Sequence, residues 1–281
     1  MPPKYLIQVH SQPVRIPKSD WEQWYTTQHL QEMVSSTTAS TGALYRATSE
    51  VLHSDGMDGT VEALSLNRVK SPSSPERKAG SDAMEYLALY QTAREHALES
   101  KECRDGVNMT SELWDDGSRA DDVAKLSPVN FELVDFVGDK IRDSGEPFSS
   151  SRNPLLARVD AGNHPDAPPH LLHCKFTGQH VGRWLRPEHV EAASQLQGYR
   201  RTLVYRPHPS AKPKEVDSTT TDLSEDDQHY VVMLHEFDAA GHGKGLEKVK
   251  EAVEAIDGSE GFDLAFRAWD LIGSEGFGGK K

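Results

Sequence analysis

Two segments of this chain repeat each other, and that repeat limits the fold more than any other feature. Trp24-Tyr25-Thr26-Thr27-Gln28-His29-Leu30 returns as Trp184-Leu185-Arg186-Pro187-Glu188-His189-Val190, and Leu44-Tyr45-Arg46 returns as Val204-Tyr205-Arg206. The anchors share one spacing, since 184 − 24, 189 − 29 and 205 − 45 all give 160. A third block, Phe131 to Gly138, reads again as Phe266 to Gly273 at a spacing of 135. Blocks that persist while the loops between them change length predict an array or a pseudo-dimer of two units of about 130–140 residues. One large domain is the weaker expectation.

Composition narrows the partners. With 44 acidic and 31 basic residues the formal charge is −13, which argues against a nucleic-acid groove or an anionic membrane surface. A local pocket for a small anion stays open. Hydrophobic residues make up 36% of the 281 and the mean hydropathy is −0.64, so two modest cores with much polar loop are expected. Cys103 and Cys174 fall in different halves without metal-ligand spacing, as in a reducing compartment. No signal-peptide pattern and no membrane-length apolar run is seen, so the expected location is the cytoplasm.

Element order is legible in the patterning. In the first half, 5–12 alternates as a strand, and Pro17 and Asp20 open a helix carrying Trp21, Trp24, Tyr25, Leu30 and Val34 at helical spacing. Strands follow at 43–48 and 86–92, around a Gly-, Ser- and Pro-rich surface insertion at 50–84. Helices at 93–104 and 119–126 and a strand at 131–138 complete the half. The second half reads strand 170–177 (155–159 being a rival), helix 181–197, strand 201–206, insertion 207–228, strand 230–237, helix 245–256 and strand 265–272. The expected units are 1–142 and 170–281, with a linker at 143–169. Each reads β-α-β-β-α-β, the ferredoxin-like arrangement, an α+β fold with one bare sheet face. Bare faces of that size need a partner. Packing the two sheets together inside one chain gives an intrachain pseudo-dimeric α/β barrel.

A strand, a helix with W-Y-x-x-x-H and a strand with Tyr-Arg resembles the dimeric α/β-barrel superfamily, in particular its EthD-like branch. Trp24 to His29 is the fuller match, because the second copy carries Leu185 in place of the tyrosine. The tandem form with long acidic loops resembles fungal proteins of secondary metabolism. The resemblance implies a cavity for a small aromatic or polyketide-like molecule, and reactions such as cofactor-free cyclisation, decarboxylation or lactone isomerisation. Quinone-forming and haem-binding members also occur. A fold of this kind does not fix the reaction.

His29 is the expected acid/base, since histidine moves protons near neutrality without large tuning. Tyr25, four residues earlier, would orient the substrate or donate to an enolate oxygen. The bland reading is that Trp24, Tyr25 and His29 only cover the sheet. Gln8 and His10 lie opposite Tyr5, Ile7 and Val9 on their strand, so they are expected to face the barrel interior as cavity-lining groups. Of Tyr45 and Arg46 only one can point inward; an inward arginine would suit a carboxylate or enolate. Asp135 and Asp270 read as equivalent positions, either paired with the arginines inside the barrel or facing solvent. Trp24, Tyr45, Arg46 and Asp135 join Gln8 and His10 as expected substrate-binding residues. His164, His170, His173, His235 and His242 show no tight zinc spacing, so no metal and no cofactor is expected. The first choice of function is a lyase, cyclase or isomerase. The second is a non-catalytic binding or chaperone-like barrel, and the third a haem or quinone-forming oxygenase. A homo-oligomer stays open.

Overall fold

The computed structural model describes residues 4–48, 67–69, 84–114, 117–133, 166–178, 193–207, 230–238 and 262–277. Strand β1 (Tyr5–Pro13) is followed by helix α1 (Lys18–Trp24), a π-helical turn (Tyr25–His29) and α2 (Leu30–Ser35). Then come β2 (Thr41–Ala47), β3 (Asn67–Val69), β4 (Tyr86–Thr92), a 3-10 turn (Ala97–Glu99), α3 (Lys101–Gly106), α4 (Ala120–Val123) and β5 (Ala124–Leu133). The remaining strands are β6 (His170–Gly178), β7 (Tyr199–Pro207), β8 (Tyr230–Phe237) and β9 (Phe262–Glu275). The expected helix at 245–256 and most of that at 181–197 lie outside the described residues.

All strand pairings are antiparallel, in the order β2-β4-β1-β5-β7-β8-β6-β9, and β9 pairs back onto β2. Each half contributes four strands in the ferredoxin-like order. The last strand of each half pairs with the second strand of the other, at β5–β7 and β2–β9. The chain is a fused pseudo-dimeric α/β barrel.

Strand alternation sets the two faces. On β1, Ile7 and Val9 join Trp21, Trp24, Tyr25, Leu30 and Met33 in a core under the helices. Leu6, one residue away, packs inward with Phe131, Leu203, Tyr205, Val232 and Leu234. Ala43, Tyr45, Leu87, Leu171 and Trp269 fill the other part of the interior.

The pairing registers also correct the third repeated block. Leu6 is opposite Phe131, and in the second half Leu171 is opposite Trp269. Leu133 is opposite Tyr205, and Leu271 is opposite Tyr45. The equivalent of Phe131 is therefore Trp269, a spacing of 269 − 131, or 138, rather than 135. The apparent Phe131/Phe266 match is thus three residues out of register along β9. Strand β5 also begins at Ala124, well before the expected 131. Pro128 is accommodated within β5 because, among the described residues, β7 joins β5 only at 131–133, which leaves the proline on a free edge. The short strand β3 was hidden in the expected insertion, and it adds to the β9 edge beyond β2.

Residues 1–142 alone would carry two unpaired sheet edges and a bare apolar inner face. A 1–142 fragment should self-associate in size-exclusion chromatography with light scattering. A monodisperse, folded monomer would contradict the fused-barrel account.

Candidate functional site

Tyr25 to His29 of the motif form the π-helical turn, just after Trp24 ends α1, and the Leu30 amide bonds the Tyr25 carbonyl five residues back. Its cause is local. The hydroxyls of Thr26 and Thr27 donate to the Glu22 and Gln23 carbonyls, each at 2.7 Å, a back-bonding that loosens and bends helices. On the strand side the turn meets Gly273 of β9, where an added Cβ would stand 2.6 Å from the Thr26 methyl. Gln28 ties the turn down by donating to Glu32 at 3.1 Å and to the Thr110 carbonyl at 3.3 Å. Single π turns occur often at functional sites.

The turn delivers Tyr25 and His29 into an aromatic nest between helix and sheet. His29 stacks on Trp24 at 4.6 Å between ring centroids, meets Tyr25 edge-on at 4.9 Å and Tyr90 edge-on at 6.2 Å. Trp21 lies 5.0 Å from Trp24 and 5.3 Å from Tyr25, and Trp114 lies 5.3 Å from Trp24. His29 keeps 7% exposure, and its Nδ1 is buried with no hydrogen-bond partner among the described residues. Burial lowers its pKa to about 4, so the ring is neutral at pH 7. Tyr25 is pushed up to about 12 by burial, with its contact to the Tyr90 hydroxyl acting in the opposite direction. The pair is thus a neutral acceptor beside a phenol that stays protonated. At the rim, Glu22 accepts from Tyr86 at 2.8 Å and from Arg46 at 3.0 Å.

The other expected site residues fall elsewhere. Gln8 and His10 do face the barrel interior, on the opposite side of β1 from the nest. The Gln8 amide meets His10 Nε2 at 2.6 Å and His173 Nε2, from the other half, at 3.3 Å. His10 also packs against His173 and Trp269 at centroid distances of 5.9 and 5.8 Å. Joining Gln8 and His10 to His29 in one pocket is therefore corrected: a strand's thickness of backbone separates them. Tyr45 points inward, and burial first and the Glu236 carboxylate second raise its pKa well above the phenol range. Arg46 points outward and spends its guanidinium on Glu22, so the inward substrate-binding arginine is corrected too. Asp135 lies outside the described residues, as do Trp184, His189, His164 and His242. Asp270 sits opposite Arg46 in register, and its carboxylate bonds His170 Nδ1 at 2.7 Å. The same register makes Glu132, not Asp135, its equivalent.

Tyr90 and Trp114 are the nest residues that sequence reasoning missed. Tyr90 carried a usable signal, because Tyr86, Ala88 and Tyr90 alternate on β4 toward the helices. Trp114 sits in an irregular segment and gave none.

No protein-family model and no curated protein matches this sequence. Solved structures with a similar chain path include a mutant chlorite dismutase from Candidatus Nitrospira defluvii, 8% identical, covering 97% of this chain and 93% of that one at a TM-score of 0.45. DyPB from Rhodococcus jostii RHA1 is 9% identical, covering 97% and 94% at a TM-score of 0.46. A dye-decolorizing protein from V. cholerae is 9% identical, covering 94% and 94% at a TM-score of 0.41. Likeness at this level carries no argument about chemistry, and the fold assignment rests on the strand register alone. Among the described residues, no helix is long and apolar enough to cross a membrane.

The buried His29 has a pH signature. Its folded pKa, about 4, is below the unfolded value of 6.5, so the unfolded chain binds more protons between those limits. The stability that neutral burial protects is complete above pH 6.5 and is lost as the pH falls toward 4, by about 3 kcal/mol over that window. Denaturant unfolding from pH 7 to 4 should show this loss, and His29→Gln should remove most of that slope. An unchanged slope in the variant would mean that His29 is not buried neutral.

Proposed function

We propose that this protein is a cofactor-independent lyase, cyclase or isomerase for a small aromatic or polyketide-like molecule, working in the helix-side nest. His29 is the acid/base and Tyr25 the fixed donor, with Trp24 stacked on the imidazole to hold it in place. One observation carries the reading: a neutral, buried imidazole with an unused ring nitrogen, held beside a protonated phenol in a π-helical turn. The resemblance of W-Y-x-x-x-H to EthD-like proteins supports the same assignment. Gln8, His10 and Tyr45 drop from the site and become groups that join the two halves.

The chemistry needs only proton transfer. His29 in its neutral form accepts a proton from an acidic position beside a carbonyl, and Tyr25 donates a hydrogen bond to the oxygen that gains charge. The returned proton goes to a second carbon or to the leaving group. An anionic intermediate beside His29 would raise its pKa and help it hold the proton it has taken. In the free enzyme, kcat/KM should rise with pH through about 4 and be level at neutrality.

A second reading, a non-catalytic barrel that holds a small hydrophobic molecule, draws on the same aromatic nest, because binding needs no base. A haem or quinone-forming oxygenase is the third reading; among the described residues His29 is enclosed by aromatic rings, and His10 and His173 both bond Gln8. With enolisable aryl ketones and aromatic β-keto acids as substrates, His29→Gln should lower kcat by roughly 10²–10⁴ while ligand affinity stays within a few-fold. A loss below tenfold would overturn the catalytic role. Binding without turnover in the native protein would establish the second reading.

A further inference from the structure

The nest holds two N–H donors that the fold leaves unused. Among the described residues, Trp21 Nε1 and Trp24 Nε1 are buried with no hydrogen-bond partner, and so is the Nδ1 of His29, which stacks on Trp24. Trp21 is 0% exposed and Trp24 1%, so bulk water does not serve either indole. Trp114 shows what a packing indole does in the same nest: its Nε1 donates to the Ser118 carbonyl at 2.7 Å. Buried indole N–H groups usually find such a partner, and leaving one unmade costs on the order of 1–3 kcal/mol. Either tryptophan could be replaced by phenylalanine at the cost of packing alone. Two unmade bonds on neighbouring rings tilted by 40°, one of them stacked on an imidazole with an unmade bond of its own, are a set of polar groups that a complementary molecule would satisfy.

We propose that Trp21 and Trp24 are specificity-determining donors of the site. Their indole N–H groups take an oxygen of a planar aromatic substrate, a phenol or an aryl ketone, while His29 handles the adjacent proton. This rests on the nest being the acid–base site and adds what the site selects: an oxygen-bearing arene in preference to a plain one. In the enolisation, His29 removes the proton α to the carbonyl, and the C–H electron pair forms the new C=C bond. The carbonyl π pair moves onto oxygen, and the resulting enolate is what the indole donors hold. The proton on His29 then returns to carbon, so the step balances without any co-reactant.

The test is indole NMR on the full chain labelled with ¹⁵N-tryptophan, with Trp21→Phe and Trp24→Phe used to assign the Nε1–H signals. The probes are 1-naphthol and naphthalene. On adding 1-naphthol, the Trp21 and Trp24 signals should move downfield while that of Trp269, on the barrel side, stays in place. Naphthalene should not produce the downfield shift. Each phenylalanine variant should lower the ratio of 1-naphthol to naphthalene affinity by about tenfold, a ratio that cancels lost packing. Equal responses to both probes would overturn the proposal. So would two indoles already at hydrogen-bonded positions in the free protein and unmoved by 1-naphthol. If the indoles stay silent but His29→Gln abolishes turnover, the donor assignment fails and the acid–base reading stands. If they respond while His29→Gln keeps full activity, the donors are established and the catalytic role of His29 fails.

Discussion

Alternation along β1 is the constraint on which the rest of the molecule depends. Ile7 and Val9 face the helices while Leu6, Gln8 and His10 face the barrel, so a single strand divides two environments. On one side an aromatic nest keeps His29 neutral and Tyr25 protonated. On the other, side chains from both halves interlock to fuse the repeat. A group on one side cannot reach the other through the backbone ladder. Proposed function therefore belongs to the helix side, and the inner polar groups belong to assembly.

The interior shows what fusion permits. By register, Gln8 is equivalent to His173, and the two meet each other at 3.3 Å, as residues beside a pseudo-twofold axis do. Two further equivalent pairs have diverged. Thr41 donates to Gln91 at 3.3 Å in the first half, while in the second Arg201 makes a two-bond ion pair with Glu236 at 2.8 and 3.0 Å. Burial first and the Glu236 carboxylate second raise both Tyr45 and its equivalent Tyr205, so the charged member of the second half is felt on both sides. Identical subunits would carry the same pair at both places. One covalent chain keeps a charged pair on one side and a neutral pair on the other. Strand β9 completes the arrangement, running past β6 to close on β2 and placing Gly273 under the π-helical turn.

Much of this was legible in the sequence. The repeat and the alternating strands predicted the barrel, because burial on one face forces a period of two. The facing of Gln8 and His10 followed from the apolar Ile7 and Val9 opposite them. That same alternation already implied that His29, on a helix packed over Ile7 and Val9, could not share a pocket with His10. The register of β5 was not legible, since Pro128 mimics a strand break and an edge position is a tertiary property. The face chosen by Arg46 was equally hidden, because it is Glu22 on a helix that draws the guanidinium outward. The π-helical turn depends on Thr26 and Thr27 together with a glycine far along the chain, a combination without a local signature.

The central claim is that His29 sits neutral and water-poor in the nest. It is tested most directly by following the imidazole ¹⁵N shifts of the full protein from pH 7.5 down to the onset of acid unfolding, with His29→Gln to assign the signal. The account predicts a ring that stays neutral through pH 6 and begins to protonate only as the pH approaches about 4. Titration at the ordinary value near 6.5 would place the ring in water, and the proposed acid–base site would fall with it.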